Sequence, residues 1–236
     1  MKRRSLSIVI PAYNEAANIV ETLRHVTGAL SKLDLDAEIL VVDDGSRDET
    51  STLVQVVAGR LHGVRLLRHE TNRGFGAAYR TGVDAAGGDH IVMVHGDNAW
   101  TAETLRDLFK HVGDADVVVG YTRHMWRSRS FTRTALSKTF TWLVNTITGR
   151  SLRYYNGLQI HRADVLKALP IESHGFGFQA EVLVKALDRT RTYIEVPMEL
   201  TEREHGDSKA FRLRNAVDVV QTLRRLRALN GQAASR

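Results

Sequence analysis

The sequence predicts an α/β protein: a Rossmann-like, mostly parallel sheet flanked by helices, with a C-terminal helical extension. Three observations predict it. Short runs rich in Val, Ile and Leu alternate with helix-period stretches through the first half of the chain. Those runs are continuously apolar, as strands buried on both faces are. The chain has 236 residues, 43% of them hydrophobic and 25% charged, which is ordinary for a soluble domain and ample for one core.

The elements follow in order. Residues 5–10 (SLSIVI) read as a buried strand ended by Pro11. Residues 16–33 read as a helix with Ile19, Leu23, Val26 and Leu30 on one face. A second strand covers 38–42. A helix follows over 50–61, with Ser46 and Asp48 as candidate caps. Strands over 64–67, 90–94 and 116–119 are separated by helices over 76–86 and 104–112. Strand–helix–strand repetition implies a parallel sheet with right-handed crossovers. The second half is less regular: a helix over 134–148, a strand over 157–161, a helix over 180–187 and a strand over 193–196. A polar loop over 201–209 and a long helix over 210–229 follow. The division expected is a domain over 1–209 and an amphipathic helix and tail over 210–236.

Composition excludes several classes. Cys is 0, so there is no disulfide scaffold, no thiol nucleophile and no thiolate zinc site. No apolar run approaches the ~18 residues of a membrane span. The basic start is followed by an apolar stretch that stops at Pro11, unlike a signal peptide. A cytoplasmic location is expected, peripheral on the inner membrane face. The net charge is +6, unevenly placed. Between Asp116 and Asp164 there is no acidic residue, while Arg123, Arg127, Arg129, Arg133, Lys138, Arg150, Arg153 and Arg162 fall there, among Trp126, Phe131, Phe140, Trp142, Tyr154 and Tyr155. A solvated basic face is the plain reading. The aromatic interleaving points instead to an anionic partner: a phosphate, a membrane headgroup or nucleic acid.

Ligands of parallel sheets sit at the carboxyl ends of the strands. The stretches Pro11–Glu15 (PAYNE), Asp43–Asp48 (DDGSRD) and His95–Asn98 (HGDN) should therefore converge on one crevice. Carboxylates there can accept hydrogen bonds from base N–H or ribose O–H groups. Gly74-Phe75-Gly76 follows the third strand rather than the first, which disfavours a dinucleotide-binding oxidoreductase, and no Gly-rich loop ending in Gly-Lys-Ser/Thr is present.

IPAYNE paired with VVDDGSRD at this separation resembles family 2 glycosyltransferases of GT-A fold, most of all the dolichyl- and polyprenyl-phosphate sugar transferases. The resemblance runs from Ser5 to about Lys209. It implies a nucleotide-sugar donor held by Pro11, Tyr13, Glu15, Asp43, Asp44, Arg73 and Asp89. His95-Gly96-Asp97 stands where the family carries Asp-x-Asp, with His95 in place of the first Asp. Asp97 and His95 are thus the implied ligands of Mg2+ or Mn2+. The loop Arg203-Glu-His-Gly-Asp-Ser-Lys209 resembles the family's Arg-x-x-Gly-x-Ser-Lys, with Arg203 and Lys209 on the departing diphosphate. Arg123, Arg127, Arg129 and Arg133 fall where the lipid-phosphate branch binds its acceptor. Glu181 is the candidate base.

The activity implied is metal-dependent, inverting transfer from GDP-mannose or a UDP-hexose to a polyprenyl or dolichyl phosphate. Such an acceptor is already anionic and needs no strong base. Transfer to a hydroxyl would need one, Glu181 or Asp207. A catalytically inactive nucleotide-binding homologue is the other alternative, supported by His95 alone. Nucleic-acid binding is disfavoured by the acidic strand ends.

Overall fold

The computed structural model describes residues 3–123, 131–171, 177–199 and 220–228. The elements run β1 (Ser5–Ala12), α1 (Ile19–Leu30), β2 (Asp36–Asp43), α2 (Thr50–Ala58), β3 (Val64–Arg68), α3 (Phe75–Ala85), β4 (His90–Met93) and α4 (Ala102–Phe109). They continue with β5 (Val117–Thr122), α5 (Phe131–Thr148), β6 (Gln159–Arg162), α6 (Ala163–Lys167), α7 (Phe178–Leu187) and β7 (Tyr193–Met198). Residues 220–228 form a last described helix, α8.

The strands form one seven-stranded sheet in the order β3-β2-β1-β4-β6-β5-β7. β1, β2, β3, β4, β5 and β7 share one direction, and β6 runs against both its neighbours. The chain returns from α5 and enters between β4 and β5 from the far end. Apolar content alone does not reveal that reversal.

The core has two layers. On one face Leu6, Ile8 and Ile10 pack under α1, α2 and α4 through Ile19, Leu23, Val26, Val54, Leu105 and Phe109. On the other, Val9, Leu40 and Val42 meet Tyr79, Val83, Phe140, Phe178 and Leu183. Burying each such side chain contributes roughly 1.5–3 kcal/mol. Gly82 explains how α3 sits so close to the sheet: a Cβ there would lie 2.2 Å from Val9 Cγ1.

Two helix starts differ from the expectation for local reasons. α1 begins at Ile19, because residues 15–18 form a turn in which the Asn18 and Ile19 N–H groups both donate to Glu15 O. α4 begins earlier than expected, because Thr101 caps it by accepting from the Thr104 N–H. At α2, Asp48 does receive the Thr50 N–H, at 3.1 Å, but Ser46 instead receives the N–H of Asn14, at 2.9 Å. The short helix α6 was not expected. In α8, Thr222 and Leu226 are buried, so this stretch packs on the domain. The expected boundary at 209/210 and the polar loop before it lie outside the described residues.

Candidate active site

The three strand-end stretches meet. Asp44 N–H donates to Ala12 O at 2.8 Å, tying β2's exit to β1's. Glu15 N–H donates to Thr50 Oγ1 at 2.8 Å, and Arg47 N–H to Asn14 Oδ1 at 2.9 Å. From the β4 side, a Cβ at Gly96 would lie 3.4 Å from Pro11 O and 3.6 Å from Glu15 Cγ. Asn14 and Asn98 both have φ near 54°, in the left-handed region, just past the ends of β1 and β4. Asparagine tolerates that region better than most residues, and strained turns of this kind gather at functional sites.

The two carboxylates of β2's exit are buried and already engaged. Asp43 accepts from Ser46 N–H at 2.9 Å and from the Ser51 hydroxyl, with Arg68 Nε 3.6 Å away. Asp44 accepts from the backbone N–H groups of Arg73, at 2.9 Å, and Gly74, at 2.8 Å. His69 Nδ1 lies 2.7 Å from Asp44 Oδ1, and its Nε2 lies 2.9 Å from Thr81 Oγ1. Gly45 makes this closure possible. Its φ is +72°, and a Cβ would lie 2.6 Å from Thr71 C, so the 69–74 loop rests directly on the turn. Asp48 belongs to the same wall. Partial burial pushes its carboxyl up, but hydrogen bonds from Thr50 and Ala16 outweigh this and hold it below the usual range.

At the end of β4, His95 and Asp97 are half-buried. The His95 ring stacks on Phe75 at 5.4 Å with planes 10° apart, and Phe75 in turn meets Phe178 edge-on. Two sequence-distant side chains of α1 hold this turn: Thr22 contacts both Gly96 and Asn98, and His25 Nδ1 lies 2.9 Å from Asn98 Oδ1. Among the described residues no group of three or more acidic or histidine side chains gathers as a cation cage. One carboxylate and one imidazole therefore fit a divalent cation only if substrate oxygens and water complete its shell. That is how magnesium is commonly held beside phosphates.

Of the other expected residues, Pro11 is buried, Tyr13 and Glu15 are half-buried, and Arg73 is exposed, all on this edge. Arg123 leaves the end of β5, its N–H on Met198 O at 3.1 Å, so β5 and β7 end on the same edge. Arg127, Arg129, Arg203, Lys209 and Asp207 lie outside the described residues, as does the Arg133 side chain.

Two expectations are corrected. Asp89 is not at the crevice. It precedes β4 at the opposite edge of the sheet, accepting from Ser5 Oγ at 2.9 Å. Ser5 and Ala12 are the two ends of β1, so Asp89 is roughly 20 Å from the site. Glu181 is not open to a substrate. It is 1% exposed, with Lys185 Nζ 2.6 Å and Arg225 Nη1 3.8 Å from its oxygens. The sequence reading missed Thr22, His25, His69 and Thr81. No local pattern marks them, since each acts on a residue at least 12 positions away.

Comparison with known proteins fits this geometry. The sequence profile described as "Glycosyl transferase family 2" matches residues 7–172. An undecaprenyl-phosphate mannosyltransferase of Micrococcus luteus is 31% identical over 214 residues, 85% of this chain and 85% of the relative. An undecaprenyl-phosphate 4-deoxy-4-formamido-L-arabinose transferase of Edwardsiella ictaluri is 31% identical over 207 residues, 86% of this chain. The match spans 62% of that relative, less than two thirds of its length. Among solved structures, glucosyl-3-phosphoglycerate synthase of Mycobacterium tuberculosis, in complex with Mn2+, UDP-glucose and phosphoglyceric acid, superposes with a TM-score of 0.74. It is 22% identical, over 95% of this chain and 80% of that one, and shares the GT-A fold. The chain belongs to glycosyl transferase family 2.

Proposed function

We propose that the protein moves a hexose from a nucleotide-sugar, GDP-mannose or a UDP-hexose, to a polyprenyl or dolichyl phosphate, with inversion at the anomeric carbon. The observation that carries this reading is the shared edge. The strand ends that would hold the donor, β1, β2 and β4, open on the same side as β5, whose exit at Arg123 begins the stretch that has eight basic residues and no acidic one. Guanidinium groups match phosphate oxygens well. The names of the undecaprenyl-phosphate relatives support the same acceptor class.

In this reading Tyr13, Glu15, Asp43 and Asp44 wall the base and ribose, and Arg73 stands at the rim. The acceptor phosphate, oriented by Arg123, Arg127, Arg129 and Arg133, attacks through an oxygen that is already anionic. The bond from the anomeric carbon to the diphosphate breaks, and Arg203 and Lys209 stabilise the departing nucleotide diphosphate. Asp97 and His95 would hold magnesium or manganese, which supplies further charge neutralisation there. A hydroxyl acceptor would call for a base; of the two candidates, Glu181 is buried in ion pairs and Asp207 lies outside the described residues.

The catalytic domain of this reading covers 1–209, and 210–236 adds a helix and tail. The enzyme works on the inner membrane face as a peripheral protein. Trp142 and Leu136 of α5, 63% and 55% exposed within the basic stretch, support contact with an anionic bilayer. Among the described residues no helix is long and apolar enough to cross a membrane.

The test is sugar transfer into an organic-extractable lipid. Purified protein is mixed with polyprenyl phosphate, a divalent metal, and GDP-mannose or UDP-glucose in turn. A metal-dependent glycolipid, reduced at least ~100-fold in Asp97→Ala, is expected. Nucleotide release with hydroxyl acceptors but no lipid product would overturn the acceptor, and nucleotide binding without any product would overturn the activity.

A further inference from the structure

The hydroxyl of Thr22 does something a helical threonine seldom does. In α1, Thr27 Oγ1 takes the ordinary course and donates back to Leu23 O, at 2.9 Å. Thr22, in the same helix, sends its hydroxyl out of the helix. It donates to Gly96 O at 3.1 Å and accepts from Asn98 N–H at 3.1 Å. One buried oxygen thus holds the peptide groups on both sides of Asp97. Thr22 is 3% exposed, between core residues Ile19, Leu23 and Val26, so it cannot drift without the helix.

The neighbouring contacts point the same way. One helical turn on, His25 Nδ1 lies 2.9 Å from the Asn98 side chain. Asn98 has φ 54°, in the left-handed region that asparagine tolerates, and the His25 and Thr22 contacts hold it there. On the opposite side the turn abuts Pro11 and Glu15 at the end of β1. α1 itself starts from Glu15, whose carbonyl receives Asn18 and Ile19. The same helix therefore starts at the β1 exit motif and grips the β4 exit motif.

We propose that Thr22 is a positioning residue for Asp97: its hydroxyl fixes the backbone of the 96–98 turn so that the Asp97 carboxylate is aimed at the cation before substrate arrives. The proposal rests on Asp97 being a ligand of that cation. Among the described residues Asp97 is the carboxylate at this turn, so its orientation matters more than that of one member of a cage. Pre-set geometry, rather than an added contact, is what Thr22 supplies.

The experiment measures Mn2+ binding by electron paramagnetic resonance, with UDP and GDP in turn, on protein whose folded fraction is known from circular dichroism. Thr22→Val removes the hydroxyl at nearly constant shape and is expected to raise the Mn2+ Kd about tenfold per folded molecule. Thr22→Ser, which keeps the hydroxyl, is expected to recover most of the loss. In turnover, Thr22→Val should lower kcat and leave the acceptor KM unchanged. If Thr22→Val fails to fold, Thr22→Ala, a favourable helix residue, takes its place with the same expectation. Unchanged Mn2+ affinity in the folded variant, with only a lower Tm, would overturn the proposal. Asp97→Asn separates the two readings. If it binds Mn2+ like the wild type, the ligand assignment falls and the proposal with it. If it loses Mn2+ while Thr22→Val does not, only the role of Thr22 falls.

Discussion

At the scale of single residues, the site depends on side chains that never reach the crevice. His69 is the clearest. It bridges Asp44 and Thr81 from a position 7% exposed, and Asp44 in turn receives two backbone N–H groups of the 69–74 loop. Removing the imidazole leaves the buried Asp44 carboxylate short of a partner and lets the loop lift from the turn. His69→Ala is expected to weaken nucleoside diphosphate binding about tenfold, measured by isothermal titration calorimetry with UDP and GDP. Asp43 and Asp44 were legible from the sequence because the motif is contiguous. His69 was not, because its partner stands 25 positions away and a lone histidine carries no pattern. Asp89 and Glu181 show the reverse error. A carboxylate near a motif in sequence can lie at the other edge of the sheet, or be neutralised by a lysine one helical turn along.

At the scale of elements, α3 illustrates how tightly helix and sheet are fitted. Gly82 stands mid-helix, where glycine is normally unfavourable by about 1 kcal/mol relative to Ala. Here that preference is reversed by contact with Val9. Gly82→Ala is expected to destabilise the fold by about 1–3 kcal/mol, since Val9 must shift in a strand packed on both faces. Chemical denaturation would measure it. A neutral or stabilising result would mean that α3 can slide outward. The strand and helix sequence was legible almost throughout, because continuous apolar runs and helical periodicity are local signals. The direction of β6 was not. Its residues include the buried polar pair Gln159 and His161, and nothing local distinguishes a strand inserted backwards from one added forwards.

At the scale of the whole molecule, His161 links this central strand to stability. It is 1% exposed, its Nε2 lies 3.2 Å from Gln159 Oε1, and burial lowers its pKa to about 4. The folded protein therefore keeps the ring neutral while the unfolded chain takes up a proton near pH 6.5. The stability this contributes is fully present above pH 6.5 and is lost as pH falls toward 4. The loss amounts to about 3 kcal/mol. Thermal denaturation between pH 7 and 4 should show this slope, and His161→Gln should flatten it. If the slope is the same in both proteins, other groups govern acid unfolding.

The reversed strand also works as a spacer. Because β6 lies between β4 and β5, the exits of those two forward strands are held two inter-strand steps apart, roughly 10 Å. In a seamless parallel sheet they would lie one step apart, roughly 5 Å. In the proposed reaction one backward strand thus separates the exit that carries Asp97 from the exit that leads to Arg123, leaving a gap between the donor side and the acceptor side.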